Sequence, residues 1–166
     1  MQMKKRRNRI KMNEDKKEIK NKALKLLSRR EHSRRELKDK LLRRDFNFQN
    51  VEVVLEDLSN SGYLNDRRFA RTWIKNRLQR KPRGKALIEA ELRDKGVDGQ
   101  VIEEELNNLL SEQKEKAMCE KLARKWLNKK NKKISEDDDL QIKLMRYLSS
   151  RGFSKRVIRK VLSELS

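Results

Sequence analysis

The chemistry this chain offers is cationic. From Arg67 to Ile88 no carboxylate interrupts a run that holds Arg67, Arg68, Arg71, Lys75, Arg77, Arg80, Lys81, Arg83 and Lys85. A second group, Arg151, Lys155, Arg156, Arg159 and Lys160, surrounds Gly152. Guanidinium and ammonium groups donate to phosphate oxygens, and each phosphate neutralised releases condensed counterions. Arg67, Arg71 and Lys75 recur at i, i+4, so they share one helix face, turned away from Phe69, Ala70 and Trp73. That spacing predicts a basic face free for phosphate. The second group flanks an expected helix N-terminus, which adds partial positive charge of its own.

Residue types that catalyse lack the partners they need. His32 is the only histidine and stands beside Ser33, a helix-capping residue, so a His-based metal site is not expected. Cys119 lies beside Met118 and near Leu122 on a helical pattern, which suits packing better than nucleophilic attack. Glu103, Glu104 and Glu105 follow a cap, and Glu136 to Asp139 stand where another helix should begin. Both groups suit the positive end of a helix macrodipole. Arg83-Gly84-Lys85-Ala86 has a passing likeness to a phosphate loop. It lacks the upstream glycine and the hydroxyl residue after the lysine that such a loop uses. No catalytic residue, metal or cofactor is therefore expected. The aromatic rings are assigned to the core rather than to a stacking platform: Phe46, Phe69, Trp73 and Phe153 at repeat positions, and Phe48, Trp126 and Tyr147 with them.

The elements that position these cations follow from a repeat. Arg44-Asp45-Phe46-Asn47, Lys95-Gly96-Val97-Asp98 and Arg151-Gly152-Phe153-Ser154 share one order: a cation, a turn residue, an apolar residue and a helix cap. Each copy sits in the same apolar frame of Leu37/Leu41/Val51/Leu55, Ile88/Leu92/Ile102/Leu106 and Leu144/Leu148/Ile158/Leu162. A period of roughly 50 residues is the mark of a repeat architecture. Gly96 and Gly152 suit the left-handed conformation that ends a helix, and Asp45 takes that role at some steric cost. Phe46 with Val51, Val97 with Ile102 and Phe153 with Ile158 have hydrophobic-staple spacing. Ser33 to Glu36 is a capping box. Ahead of each pair comes a further helix, marked by Ala23/Leu24/Leu27, Phe69/Ala70/Trp73 and Ala117/Met118/Leu122. The expected fold is all-α, with three-helix repeats at 17–62, 63–110 and 111–166 and the main irregular connection at 128–139. Residues 1–16, with Lys4, Lys5, Arg6, Arg7, Arg9 and Lys11, are expected to be a flexible basic tail or at most a frayed helix start.

Composition limits the partners. Of 166 residues, 43% are charged and only 34% apolar, with a net charge of +20. An average soluble domain is about 45–50% apolar, so a single thick core is not expected. Self-repulsion of this size is relieved by a polyanion, which makes nucleic acid the expected partner. An anionic membrane surface fits less well, because no helix sets a wide apolar face against a basic one. No stretch approaches the roughly 18 apolar residues of a membrane span. The basic start is not followed by the apolar segment of a signal peptide, and a lone cysteine makes no internal disulfide. A cytoplasmic monomer is the expectation.

Several landmarks together resemble the RecX family, regulators of the bacterial recombinase RecA. Ala23-Leu24, Leu27-Ser28-Arg29-Arg30-Glu31-His32-Ser33 and Glu36-Leu37 are similar to its opening. Gly62-Tyr63-Leu64-Asn65-Asp66 ahead of Phe69-Ala70 is similar to its central signature. Gly84, Ile88, Glu91-Leu92, Lys95-Gly96-Val97 and Arg151-Gly152-Phe153 with Ile158 resemble its later repeats. The similarity covers roughly residues 20–165; Asn65 stands where the family more often has Asp, and Asp45 where it often has Gly. The resemblance implies three tandem three-helix repeats in an elongated, curved array that binds in the groove of the RecA–DNA filament. It implies restraint of strand exchange, ATP hydrolysis and repressor co-cleavage by RecA, in the setting of homologous recombination, DNA repair and the SOS response. Single-stranded and duplex DNA are the implied nucleic acids. The alternative is a free-standing DNA-binding protein that uses its repeated helix pairs as helix-turn-helix units. A nuclease is a third class, for which the chain lacks spaced carboxylate pairs.

Overall fold

A computed structural model describes residues 2–80, 82–129 and 138–165, with side chains from residue 13 onward except at residue 138. Among the described residues the regular elements are nine helices. They are α1 Gln2–Leu27, α2 Arg34–Leu42, α3 Phe48–Asn60, α4 Asp66–Arg80, α5 Lys85–Asp94, α6 Gly99–Leu109, α7 Glu112–Lys129, α8 Asp138–Ser150 and α9 Lys155–Leu165. The chain divides into two compact units, Met1–Ala70 with Lys95–Asp98, and Arg71–Asp94 with Gly99–Ser166.

In the first unit α1 packs on α2 and α3. Ile19, Ala23, Leu37, Leu41, Val51 and Leu55 are fully buried there. In the second unit α5 packs on α6, and α7 packs on α8 and α9. Cys119, Ala123, Leu144, Leu148 and Ile158 centre one core, and Ile88, Leu92, Ile102 and Leu106 are buried as well. The apolar frame read from the repeat is thus buried in all three copies, where each side chain contributes about 1.5–3 kcal/mol over its exposed state.

The turns follow the capping rules. Asp45, Gly96 and Gly152 have φ of 61°, 76° and 86°, the left-handed region that ends a helix. Asn47 Oδ1 accepts from Gln49 N and Asn50 N at 2.9 and 3.2 Å, and Ser154 Oγ accepts from Val157 N at 3.2 Å. Each cap satisfies amides that the first helical turn leaves without partners.

Two of the three turns do more than end a helix, because each docks on the start of the preceding repeat's second helix. In the first such joint, Lys95 O accepts from Ser33 Oγ at 2.7 Å, Lys95 Nζ meets Glu36 Oε1 at 2.7 Å, and Asp66 Oδ1 accepts from Arg34 N at 2.7 Å. In the second, Gly84 N donates to Arg151 O at 2.8 Å, Ala86 N to Gly152 O at 3.2 Å, and Lys85 N to Glu115 Oε1 at 2.8 Å. The approach is close. A Cβ on Gly152 would stand 2.3 Å from Leu87 Cβ and 2.6 Å from Leu87 N. Glycine is therefore needed there for space as well as for φ. Asp45, in the first copy, is exposed and needs only the φ.

Helix α1 begins at Gln2, so residues 2–16 run into the first helix, in keeping with a helix start, one of the two expectations for this stretch. That stretch contains no glycine or proline and is rich in Lys, Arg and Met, which propagate a helix well. Three expectations change. On α7 Cys119, Ala123 and Leu127 are buried and Met118 and Leu122 pack partly buried against the same core, while Ala117 is exposed. The capping box at Ser33 is half formed: Ser33 Oγ accepts from Glu36 N at 3.1 Å, but the Glu36 carboxylate turns to Lys95 and Arg30. Glu105 is not a macrodipole residue; it lies deep in α6 and is fully buried. The connection expected at 128–139 falls mostly on residues 130–137, outside the described residues.

Candidate nucleic-acid interface

Part of the cationic tract is used by the fold itself. Arg71 on α4 makes a two-point pair with Glu105, Nε to Oε2 at 2.9 Å and Nη2 to Oε1 at 3.1 Å. The carboxylate hydrogen bonds, then its charge, raise the Arg71 pKa above its usual value. The i, i+4 face expected to be free for phosphate is therefore interrupted at Arg71, by a carboxylate 34 residues along the chain that within-helix spacing does not reveal. Arg68 is likewise engaged. Its Nε meets Glu31 Oε1 at 2.6 Å, and its Nη groups donate to Gly62 O and Tyr63 O at 3.1 and 2.9 Å. Asn65 Oδ1 accepts from Arg68 N at 2.9 Å and so starts α4 as the cap that Asp would be.

Beyond Arg71 the balance reverses. Arg77 Nε and Trp73 Nε1 both donate to Glu91 Oε2, at 2.6 and 2.8 Å, and Arg83 pairs with Oε1 of the same carboxylate. The Arg77 guanidinium lies over the Trp73 ring, 4.3 Å from its centroid. Burial first, then repulsion from Arg77 and Arg151, pushes the Arg83 pKa below its usual value. Arg151 belongs to the other sequence group, so the fold brings the two groups together. Two guanidinium groups share the one Glu91 carboxylate and a third, Arg151, stands close enough to repel Arg83, so the excess charge is what an anion would meet.

Arg151 connects this cluster to a pair of aromatic rings. Its Cζ stands 5.1 Å from the Tyr147 centroid. Tyr147 in turn stacks with Trp126, centroids 6.0 Å apart and planes inclined by 26°. Both rings pack against the third-repeat core yet stay partly exposed, which departs from a simple core assignment. Phe48 departs further: it is 54% exposed, with Lys38 Nζ 4.4 Å from its ring centroid. Cations over rings of this kind contribute about 0.5–1 kcal/mol at exposed positions.

The remaining expected residues scatter. Lys75, Arg80, Lys155 and Arg159 are exposed and form no ion pair among the described residues. Arg67 is exposed on α4. Arg156 and Lys160 share Glu112, at 3.3 and 2.6 Å. Lys85 Nζ donates to Asn107 Oδ1 at 2.8 Å. Lys81 lies outside the described residues. Sequence reasoning missed Lys125 and Lys129 on α7, exposed at either side of Trp126. A signal was there, since an aromatic flanked by lysines is half of a nucleic-acid motif. The ring partner Tyr147, however, comes from another helix.

Comparison with known proteins identifies the architecture. Family models described as the first, second and third three-helix domains of RecX match residues 20–58, 65–106 and 119–162. The regulatory protein RecX of Pelodictyon phaeoclathratiforme is 42% identical over 140 residues, 84% of each chain. The chain belongs to the RecX family. Regulatory protein RecX of Prosthecochloris aestuarii is 37% identical over 87% of this chain and 91% of its own. The crystal structure of RecX from Lactobacillus salivarius superposes with a TM-score of 0.82 at 25% identity, covering 92% of this chain and 97% of that one. The contacts of Ser33, Asp66 and Gly96 lie within the first unit, and those of Gly84 and Gly152 within the second, of this all-α RecX chain of three-helix domains. No helix among the described residues is long and apolar enough to cross a membrane.

Proposed function

We propose that this chain is a non-enzymatic regulator of the recombinase RecA, mainly an inhibitor. In this reading it lies as a cytoplasmic monomer in the groove of the RecA–DNA filament and turns the surface around Arg77, Arg83 and Arg151 toward DNA. The observation that carries the reading is the match of all three RecX domains, in order, along the chain. The excess charge around Glu91 supports the DNA side, because one carboxylate faces Arg77 and Arg83 with Arg151 close by, and phosphate would neutralise the surplus. Bound there, the chain restrains strand exchange, ATP hydrolysis and repressor co-cleavage without chemistry of its own.

The test is a titration of RecA on single-stranded DNA while its ATPase rate is followed. A saturable fall in rate is expected. A rate unmoved by stoichiometric excess sinks the reading. Selection of one preferred duplex sequence in the absence of RecA favours instead a free-standing DNA-binding protein.

A further inference from the structure

Beside the guanidinium cluster lies a groove of about 480 Å³, walled by Leu122, Lys125, Trp126, Lys129, Tyr147 and Arg151. Its size falls in the roughly 300–1,000 Å³ range of small-molecule sites. The composition is specific in kind: among the described residues it is lined by two stacked aromatic rings, three cations and no carboxylate. Lys125, Lys129 and Arg151 form no ion pair among the described residues, in contrast to Arg68, Arg71 and Arg77. The core behind the rings explains why one side of them is buried. It does not explain why three cations without an ion pair among the described residues gather around the other side.

We infer that this groove seats one unpaired nucleotide of a single strand, its base against the Trp126–Tyr147 pair and its flanking phosphates on Lys125, Lys129 and Arg151. Rings offer a face that any base can stack on, and cations at the rim track the backbone, which is how sequence-tolerant single-strand sites are built. A duplex keeps its bases stacked inside and has only phosphates to offer, so the groove discriminates strand state rather than sequence. The inference rests on the DNA side of the proposed function and goes beyond it: the chain selects unpaired nucleotides without help from RecA.

The test uses the full chain, a fluorescein-labelled oligothymidylate and a hairpin duplex of equal phosphate count, with anisotropy as the readout. Trp126→Ala should weaken oligothymidylate binding by roughly five- to a hundred-fold, the range for removing one base–aromatic stack. Hairpin binding should change little, and Trp126→Phe should keep most of the affinity because a ring face remains. Because Trp126 also packs on the core, helicity and the urea midpoint are measured alongside. If Trp126→Ala unfolds, the double variant Lys125→Gln/Lys129→Gln decides, since both positions are exposed. It should flatten the single-strand salt slope by ~1.4, about 0.7 for each phosphate no longer neutralised. Unchanged oligothymidylate affinity in Trp126→Ala, an equal loss on the hairpin, or an unchanged slope in the double variant overturns the groove. The RecA titration is read separately. A wild-type chain that lowers the ATPase rate while Trp126→Ala still binds the oligonucleotide normally refutes the groove alone. A groove that behaves as expected in a chain without effect on RecA refutes the filament reading alone.

Discussion

The two joints between repeats are built from the same phrase and end with opposite electrostatics. At Lys95-Gly96 the docking is carried by side chains: Ser33 Oγ reaches Lys95 O, and the Lys95 ammonium is neutralised by Glu36. At Arg151-Gly152 it is carried by the main chain, through amides of Gly84 and Ala86 to the carbonyls of Arg151 and Gly152. The Arg151 side chain is therefore released from the joint and stands over Tyr147, close enough to perturb Arg83. The same sequence position thus yields a structural cation in one copy and an available one in the other. Net charge alone does not distinguish them, because what matters is whether the backbone or the side chain makes the joint.

The largest expected effect breaks the main-chain joint. Gly152→Ala must push Leu87 aside and strain a left-handed turn, costing about 3 kcal/mol or more by urea denaturation. Gly96→Ala should cost less. Its Cβ would meet the Arg35 side chain, 2.7 Å from Cδ and 2.8 Å from Cβ, part of which can swing away. Equal losses would show that backbone proximity is not the difference between the joints.

Mild acid should weaken the side-chain joint through its histidine. His32, the chain's only histidine, is buried with Nδ1 3.3 Å from Glu36 Oε2. Burial first, then Arg30 and Lys40, hold its pKa below 6.5, with Glu36 pulling the other way. The unfolded chain then binds more protons below 6.5, so stability falls as pH drops through that value toward the folded pKa. The slope is at most ~1.4 kcal/mol per pH unit for one proton. His32→Gln should remove this dependence between neutral and mildly acidic buffers; a persisting slope would assign it to other groups.

A smaller pair of effects separates the two cations. Lys95→Gln should lower stability by no more than about 1 kcal/mol and leave DNA affinity alone. Arg151→Gln should do the reverse, flattening the salt dependence of DNA binding by up to about 0.9 with little change in the urea midpoint. The smallest effect is at the exposed first turn. Asp45→Gly relieves a left-handed φ while adding chain entropy to the unfolded state, so the net change should stay within about 1 kcal/mol. A loss as large as that of Gly152→Ala would mean the first turn is also a joint.

The repeat was legible because it rests on local rules. A left-handed turn, a cap and a staple act within a few residues of one another, and the frame Leu37/Leu41/Val51/Leu55 recurs with them in every copy. Burial of that frame then follows from the helical period alone. The cationic character was equally plain, since charge adds along a chain whatever its fold.

What only the tertiary structure decided was which cations remain available. Arg71 faces Glu105, Arg77 and Arg83 converge on Glu91, and Trp126 finds Tyr147, each partner lying on a different helix. The register of α7 was likewise settled by packing, which chose Cys119 and Ala123 over Ala117 and carried the thiol pKa up to about 12 by burial and the Glu115 charge. Spacing within one helix says which side chains share a face. It is silent on what the facing helix presents, and electrostatic pairing over a few ångströms depends on that alone.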